Sequence, residues 1–600
     1  MARTSRAVQE INSLLQPEDL ASFVTNKYVS WRGEQMTWLD ESKELRDYIF
    51  QTDTTQTSNA KLPWKNKTSV PKLTQLRDNL HANYMAALFP NDNWFKWEAE
   101  AADAAARETV VKIEAYMQQK IRESNFQTTV SKLVYDYIDY GNAFGEVGYT
   151  NENHVTADGA IRNIYSGPQV YRLSPYDHYF DLTAATYKDA GKITRRNLSY
   201  GSLLRAAEED PIGFAWVQDA VAQSRDLRVS LKAYGDSDLD KSEGFQKDGL
   251  GSLSAYYSSD MVEILEYEGD MFNAESNELM MNHKIIVMDR KWVVHSEAMA
   301  SWLGRSNKEH VGWRERPDNL LAAGPLDNLV GMQYRLDHLE NLKADVFDMI
   351  AHPVIYQRGM VEAWEWGPGE VIFGDTDSDV QVLRPDSTAL NADFQIEQLM
   401  NHMEDLAGAP KQAMGIRTPG EKTAFEVQAL ENAAGRIFQQ KIQKFEQELI
   451  EPLLNQMLEA ARRNIAPVEV VKVLDDDFAV TQFLQIKPED LNMRGRLRPI
   501  GARHFAQNAQ VIQNLLGMIN SAAYQDASVN AHISGKRIAE LFEEHLGLNK
   551  FDLVQDNIRI AEQQNTQSLA TQAQENVVGE IADRQLDEEL DDQGVLNEEG

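Results

Sequence analysis

Between residues 324 and 464 the chain changes its apolar periodicity again and again, and the order of those changes constrains the fold more than any other feature. Leu329, Met332, Leu336, Leu339, Leu342, Val346 and Met349 recur every three or four residues. That is the stripe of an amphipathic helix. It starts near Pro325, a residue tolerated in a first turn, and stops at Pro353. Its other side carries Asp337, Glu340, Asp345 and Asp348. Short strands are predicted over 354–356, 371–373 and 380–383, punctuated by Gly359, the 367–369 Gly-Pro-Gly run and Gly374. A second helix is predicted over 393–406, followed by a Gly/Pro-rich loop over 407–420. Thr423 with Glu426 three residues later is a capping-box pattern that opens a third helix. Leu430, Ala434, Phe438, Ile442, Phe445, Leu449, Leu453 and Met457 form its stripe. This run is on the order of 60 Å long at 1.5 Å per residue. Pro452 lies inside it and predicts a kink or a break. Helices bracketing a compact β-rich module suit a part that surrounds or passes something, rather than a pocket that transforms it.

The rest of the chain reads as α+β and helix-rich. Residues 1–50 look helical, with Trp31, Trp38, Leu45 and Ile49 as anchors, and 51–61 is a polar loop. Leu73, Leu76, Leu80, Tyr84 and Leu88 give a one-faced helix over 70–89. A short strand follows at 94–97, then a long helical stretch over 101–140 closed by Gly141. Short β runs are predicted over 147–180, a charged helix over 195–234, a surface loop over 234–254, and strands at 261–267, 284–295 and within 468–486. Residues 501–546 read as helical. Beyond 556 the composition is polar, and the last eighteen residues hold eight acids and one arginine, the pattern of a solvated, mobile tail. No internal repeat is found.

Composition removes several classes of function. The 93 acidic residues outnumber the 59 lysines and arginines, a formal net charge of −34, so a broad grip on nucleic acid would meet repulsion. With no cysteine there is no disulfide, thiol nucleophile or cysteine-ligated zinc. There is no signal-peptide pattern and no apolar run of membrane-spanning length, so a soluble protein without direct membrane insertion is expected. The Walker-type phosphate loop, the His-Glu-x-x-His pair, Gly-x-Ser-x-Gly and Gly-x-Gly-x-x-Gly are all missing, and the twelve histidines are scattered. Asp475, Asp476 and Asp477 are adjacent and read as a solvated turn. Asp236, Asp238 and Asp240 start like a calcium loop, but position 241 is Lys and not Gly, and the closing position 247 is Lys. No catalytic residue, metal site or cofactor is expected. An acidic metal site of a hydrolase or nuclease would need carboxylates converging from separate elements. Trp364 and Trp366 flank Glu365 in the β-rich module, as local packing or as a docking anchor. Lys411, Arg417 and Lys422 form a small basic island in the glycine-rich loop.

The order of elements over 324–464 resembles the stem–clip–stem–tunnel-loop–long-helix core of tailed-bacteriophage portal proteins, the head-to-tail connectors. The resemblance is carried by Ala323-Gly324-Pro325-Leu326-Asp327-Asn328, by Gly408-Ala409-Pro410, and by Arg417-Thr418-Pro419-Gly420-Glu421-Lys422-Thr423-Ala424-Phe425-Glu426-Val427. Tyr135-Asp136-Tyr137-Ile138-Asp139-Tyr140-Gly141-Asn142-Ala143-Phe144 is similar to the end of a wing helix. Leu173-Ser174-Pro175-Tyr176-Asp177 with Phe180-Asp181 is similar to another wing segment. Together these cover 70–520, and length and module favour the short-tailed phage type. The resemblance implies a portal-type fold: wing over 1–323, first stem helix over 324–353, clip over 354–385, second stem helix over 386–406 and tunnel loop over 407–422. The long wing helix would follow over 423–464, wing return and helical crown over 465–555, and the acidic tail over 556–600. It also implies a homo-oligomeric ring, twelve-fold in the family, at one capsid vertex of the virion, made in the host cytoplasm. Its partners would be terminase, tail or adaptor proteins, and the major capsid or scaffolding protein. Double-stranded DNA would pass through without sequence specificity. Lys411, Arg417 and Lys422 would touch that DNA, Asp337, Glu340 and Asp348 would face the lumen, and Trp364 and Trp366 would serve docking at the clip. The alternative is a capsid scaffolding or head-tail adaptor protein without a channel.

Overall fold

The computed structural model describes residues 7–500 apart from 13–15, 51–53, 56, 64, 91–93, 100–103, 156–160, 210–216, 218, 220, 222–260, 300, 365–370, 384–391, 408–437, 468, 476–479 and 493. The chain divides into two units, Met1–Val473 with Phe483–Phe505, and Leu474–Gln482 with Ala506–Gly600. In the second unit the described residues are the strand segments 474–475 and 480–482; the account below concerns the first.

The first unit mixes helix and strand, as expected of an α+β protein. In chain order its elements open with β1 (Val8–Ile11), α1 (Pro17–Phe50), α2 (Lys72–Leu88), β2 (Phe95–Ala99), α3 (Ala104–Glu123) and α4 (Phe126–Asp139). Then come β3 (Asn142–Val155), β4 (Ile161–Leu173), β5 (His178–Phe180), β6 (Lys192–Ser199), α5 (Tyr200–Glu209), β7 (Met261–Asn273), β8 (Glu278–Met288) and β9 (Trp292–Ala298). After β10 (Lys308–Gly312), β11 (Arg314–Arg316) and β12 (Asn319–Ala323), the chain forms α6 (Val330–Ala351), β13 (Val354–Arg358), β14 (Asp379–Leu383) and α7 (Asp393–Ala407). The series ends with α8 (Glu451–Asn464), β15 (Glu469–Asp475), β16 (Val480–Ile486), α9 (Pro488–Leu491) and β17 (Gly495–Pro499).

Among the described residues the largest sheet runs β5-β6-β7-β8-β9, and β1 joins β7 in parallel. Helix α1 lies across it because Leu20, Val24, Tyr28, Trp31 and Leu39 share one face at three- and four-residue spacing. They pack on Tyr179, Ile193, Leu265, Tyr267 and Val287. A second sheet, β10-β3-β4, is antiparallel throughout. It borders the main core, which draws on α2, α3, α4, α6, α7 and α8. The apolar stripe of α2 behaves as its spacing dictates: Leu73, Leu76, Leu80, Tyr84 and Leu88 are all buried.

Several expectations need correcting. The N-terminal region opens with a strand, not a helix. The single helix expected over 101–140 is two, broken where Asn125 takes φ 52°. The β region after it holds two long strands, β3 and β4, in place of short runs. Residues 192–199 form a strand and only 200–209 are helical after it. The charges that read as a solvated helix face there are paired instead, Arg195 with Asp177 (2.9 Å) and Arg196 with Glu146 (2.6 Å). Residues 371–373 form no strand; the Phe373 carbonyl accepts one hydrogen bond from the Glu362 N–H. Pro452 neither breaks nor ends its helix. Residues 438–445 are α-helical, Glu446–Ile450 form a π-helical turn and α8 continues from Glu451. A proline lacks the N–H and crowds the carbonyl four residues back, and a wider turn immediately before it relieves both demands.

Gly141 does close α4, with φ +69°. A Cβ there would run into the backbone N of Gly324. That close approach brings the start of the 324–407 segment against the end of α4.

Candidate functional site: the helix–hairpin–helix module

Helices α6 and α7 pack against each other, as the sequence led us to expect. Leu336 and Leu339 of α6 and Ile396 and Met403 of α7 enter the main core, and the Lys343 ammonium bonds the Asp393 carboxylate across the pair. A buried ion pair, Lys72 Nζ to Glu404 Oε1 at 2.5 Å, ties α7 to α2.

The polar side of α6 does something its sequence did not announce. Gln333, Asp337, Asn341 and Asp345 are spaced four apart, with Asp348 three further on, so they form one row along the helix. That row binds the extended segment 65–70 as a neighbouring strand would. Asp345 accepts from the N–H groups of Lys65 (3.1 Å) and Asn66 (3.0 Å), and Asp348 accepts from Asn66 Nδ2 (3.0 Å). Asn341 takes the Thr68 N–H (2.8 Å) and donates to the Thr68 carbonyl (2.7 Å). Asp337 accepts from the Val70 N–H (2.9 Å) and the Ser69 hydroxyl (3.1 Å), while Gln333 donates to the Val70 carbonyl (2.6 Å). Burial pushes the Asp337 carboxyl up to about 6 against these stabilising bonds.

This settles one expected lumen-facing acid. Asp337 is fully buried and committed to residues 69–70, so it faces no channel. A solvated acid and an acid reading a backbone have the same helical periodicity, which is why the sequence did not separate them. Glu340 is half-buried and Asp348 exposed. Trp364 is half-buried, while Trp366 lies outside the described residues. Lys411, Arg417 and Lys422 also lie outside them, with most of the expected tunnel loop, the first turns of the long helix, Asp476, Asp477, the 234–254 loop, the helical region after 501 and the acidic tail.

Beyond the core the module is covered by nothing of its own. Strands β13 and β14 pair antiparallel from Val354↔Leu383 to Arg358↔Asp379, with Gly359 at φ +82° where the chain leaves β13. Two strands cannot enclose an apolar layer. Among the described residues, thirteen of the twenty-five exposed large apolar side chains fall between Leu342 and Leu406. Phe347, Val354 and Phe373 are each 63% exposed and Met360 82%. Elsewhere such residues are scattered, as on any protein surface. A concentration of this kind marks a surface made to be covered.

One carboxylate convergence does occur, between β3 and β7: oxygens of Glu146, Glu266 and Glu268 lie within 4.8 Å of one another, buried. Each is matched by a cation from a different strand. Arg196 bonds Glu146 (2.6 Å), Lys284 reaches Glu266 (2.5 Å) and the buried Lys308 sits 2.9 Å from Glu268. Burial alone would raise the Glu266 carboxyl, yet Lys284, Lys308 and Arg196 hold it well below the usual carboxylate range. Three acids against three fixed cations make an ionic joint between the two sheets. A divalent ion would have to displace an ammonium to enter.

Among the described residues no helix is long and apolar enough to cross a membrane. Residues 24–193, from within α1 to the start of β6, match the family described as bacteriophage head to tail connecting protein. No curated protein matches the chain.

Proposed function

We propose that this bacteriophage head-to-tail connector, a component of the virion that links head and tail, acts as the portal: a ring at one capsid vertex through which double-stranded DNA is packaged and later ejected. The observation that carries the reading is the bare apolar surface of the α6–hairpin–α7 module. A fully covered side chain of this size is worth about 1.5–3 kcal/mol, so leaving a dozen in water is costly unless neighbours cover them. Identical copies arranged around an axis would bring module against module and close the surface into a ring.

In this reading the module supplies stem and clip, the preceding α+β unit is the wing, and the clip receives terminase during packaging and tail proteins afterwards. Glu340 and Asp348 would border the lumen. An acidic wall repels phosphate and lets a duplex slide, whereas broad basic contact would hold it at physiological salt. Lys411, Arg417 and Lys422 would give the few sequence-independent backbone contacts. No chemical turnover is required of any of these groups.

Electron micrographs of purified protein should show annular particles with a central hole at least about 20 Å across, the width of a duplex. A particle without a hole would favour an adaptor, and a stable monomer would refute the proposal. Phe347→Asp combined with Phe373→Asp should shift the protein to monomer without lowering its melting temperature. Replacing Lys411, Arg417 and Lys422 with Ala should impair DNA packaging and leave ring assembly intact.

A further inference from the structure

A cavity of about 670 Å³ opens beside the π-turn, walled by residues 185–188, β10, the β11–β12 hairpin, Gln447 and Glu448. That is the size of a small-molecule site. Glu309 of β10 lines it with a side chain only 1% exposed. One of its oxygens is used: Oε1 accepts from Gln456 Nε2 (2.7 Å) and pairs with Arg305 Nη2 (3.3 Å). The other, Oε2, is enclosed and accepts no hydrogen bond, the nearest cation being the half-exposed Lys188 ammonium at 4.0 Å. An enclosed carboxylate oxygen without a donor costs about 1–3 kcal/mol or more. Burial raises the Glu309 carboxyl accordingly, and that of Glu448 on another wall as well.

We propose that this cavity binds an aliphatic ammonium or guanidinium group, with Glu309 Oε2 as its interior acceptor and Glu448 as a second anchor. An anion would meet Glu309 directly. A hard divalent ion takes six or more oxygen ligands, and one enclosed oxygen does not supply them. A cation on an alkyl stem suits the rest of the lining, where Tyr187, Pro317 and Leu320 offer apolar surface to the stem. Two sources share this chemistry, a free linear polyamine and a lysine or arginine side chain from a neighbouring chain.

The test is calorimetric titration of the full chain with spermidine, at chain concentrations below and above the point where it assembles. Saturable binding at both concentrations assigns the site to a free polyamine. Binding only below it assigns the site to a neighbour's side chain. Glu309→Gln should weaken binding at least tenfold, and Lys188→Ala, which removes the nearest resident cation, should tighten it about threefold. Leu320→Trp should block binding by filling the cavity with no change of charge, so the result does not depend on Glu309→Gln folding well. The proposal is overturned if spermidine shows no saturable binding in either regime, if Glu309→Gln and Leu320→Trp both bind like the parent, or if sodium chloride of equal ionic strength reproduces the heat.

Discussion

Replacing Asp337 tests whether the polar row of α6 is structural. In Asp337→Ala the Val70 N–H and the Ser69 hydroxyl lose their acceptor, and Gln333 Nε2 loses a 2.9 Å bond while keeping the Val70 carbonyl. Each buried donor left unmade costs about 1–3 kcal/mol, and the hydroxyl can turn toward water, so the expected loss is about 2–4 kcal/mol. Asp337→Asn behaves differently. Its amide oxygen still accepts from Val70 and Gln333, and its NH2 can donate to the Ser69 oxygen. It also removes a titration. The folded carboxyl sits at about 6 against an ordinary 3.8, so its protonated form favours the fold. That contribution is complete below 3.8 and is lost as pH rises through 6, up to about 3 kcal/mol. Urea midpoints followed by tryptophan fluorescence at pH 5 and pH 8 give the comparison. Asp337→Asn should match or exceed the parent at pH 8 and show a flatter pH dependence, and Asp337→Ala should fall at both. The reasoning fails if Asp337→Ala costs under about 0.5 kcal/mol, or if the two variants lose stability equally.

Three other outcomes follow from buried charge and from a strained turn. Lys192 is buried and burial pushes its ammonium down to about 8 from an ordinary 10.5, so its charge opposes folding below pH 8 and that opposition lifts between pH 8 and 10.5. The parent should therefore gain up to about 3 kcal/mol over that interval relative to Lys192→Met, read from denaturation midpoints. Lys308→Met leaves Glu268 without its 2.9 Å partner and should cost about 3–5 kcal/mol, and adding Glu268→Gln should recover part of it, as a double-mutant cycle would show. Gly141→Ala combines a left-handed backbone with a Cβ driven into the Gly324 N, so it should lower the melting temperature by several degrees; an unchanged melting curve would mean that the turn relaxes freely.

What the sequence made legible was apolar. The stripes of α2 and of residues 442–457 lie in the core because a one-sided apolar period has one stable use. The pairing of α6 with α7 was readable for the same reason. Polar residues carried no such direction. The row 333–348 looked like a solvated face because its partner, residues 65–70, lies far off in the chain. Lys192 and Lys308 looked like surface lysines because their counter-charges come from other strands, and Glu309 looked ordinary because a cavity leaves no mark on sequence. The portal resemblance was drawn chiefly from 324–464, whereas the family match falls on 24–193, where the chain's own signals were two short wing-like segments.

The π-turn at Glu446–Ile450 fixes a phase. One additional residue in a helical turn advances all that follows by about 100° around the axis. With that advance Ile442 and Phe445 before the turn, and Leu453, Leu454 and Met457 after it, all point inward. Deleting any one residue of the five would restore ordinary winding and still swing the whole distal half of the rod away from its seat. Shortening here is thus forbidden by rotation rather than by length, and the wide turn works as a spacer whose loss no single side-chain change downstream repairs.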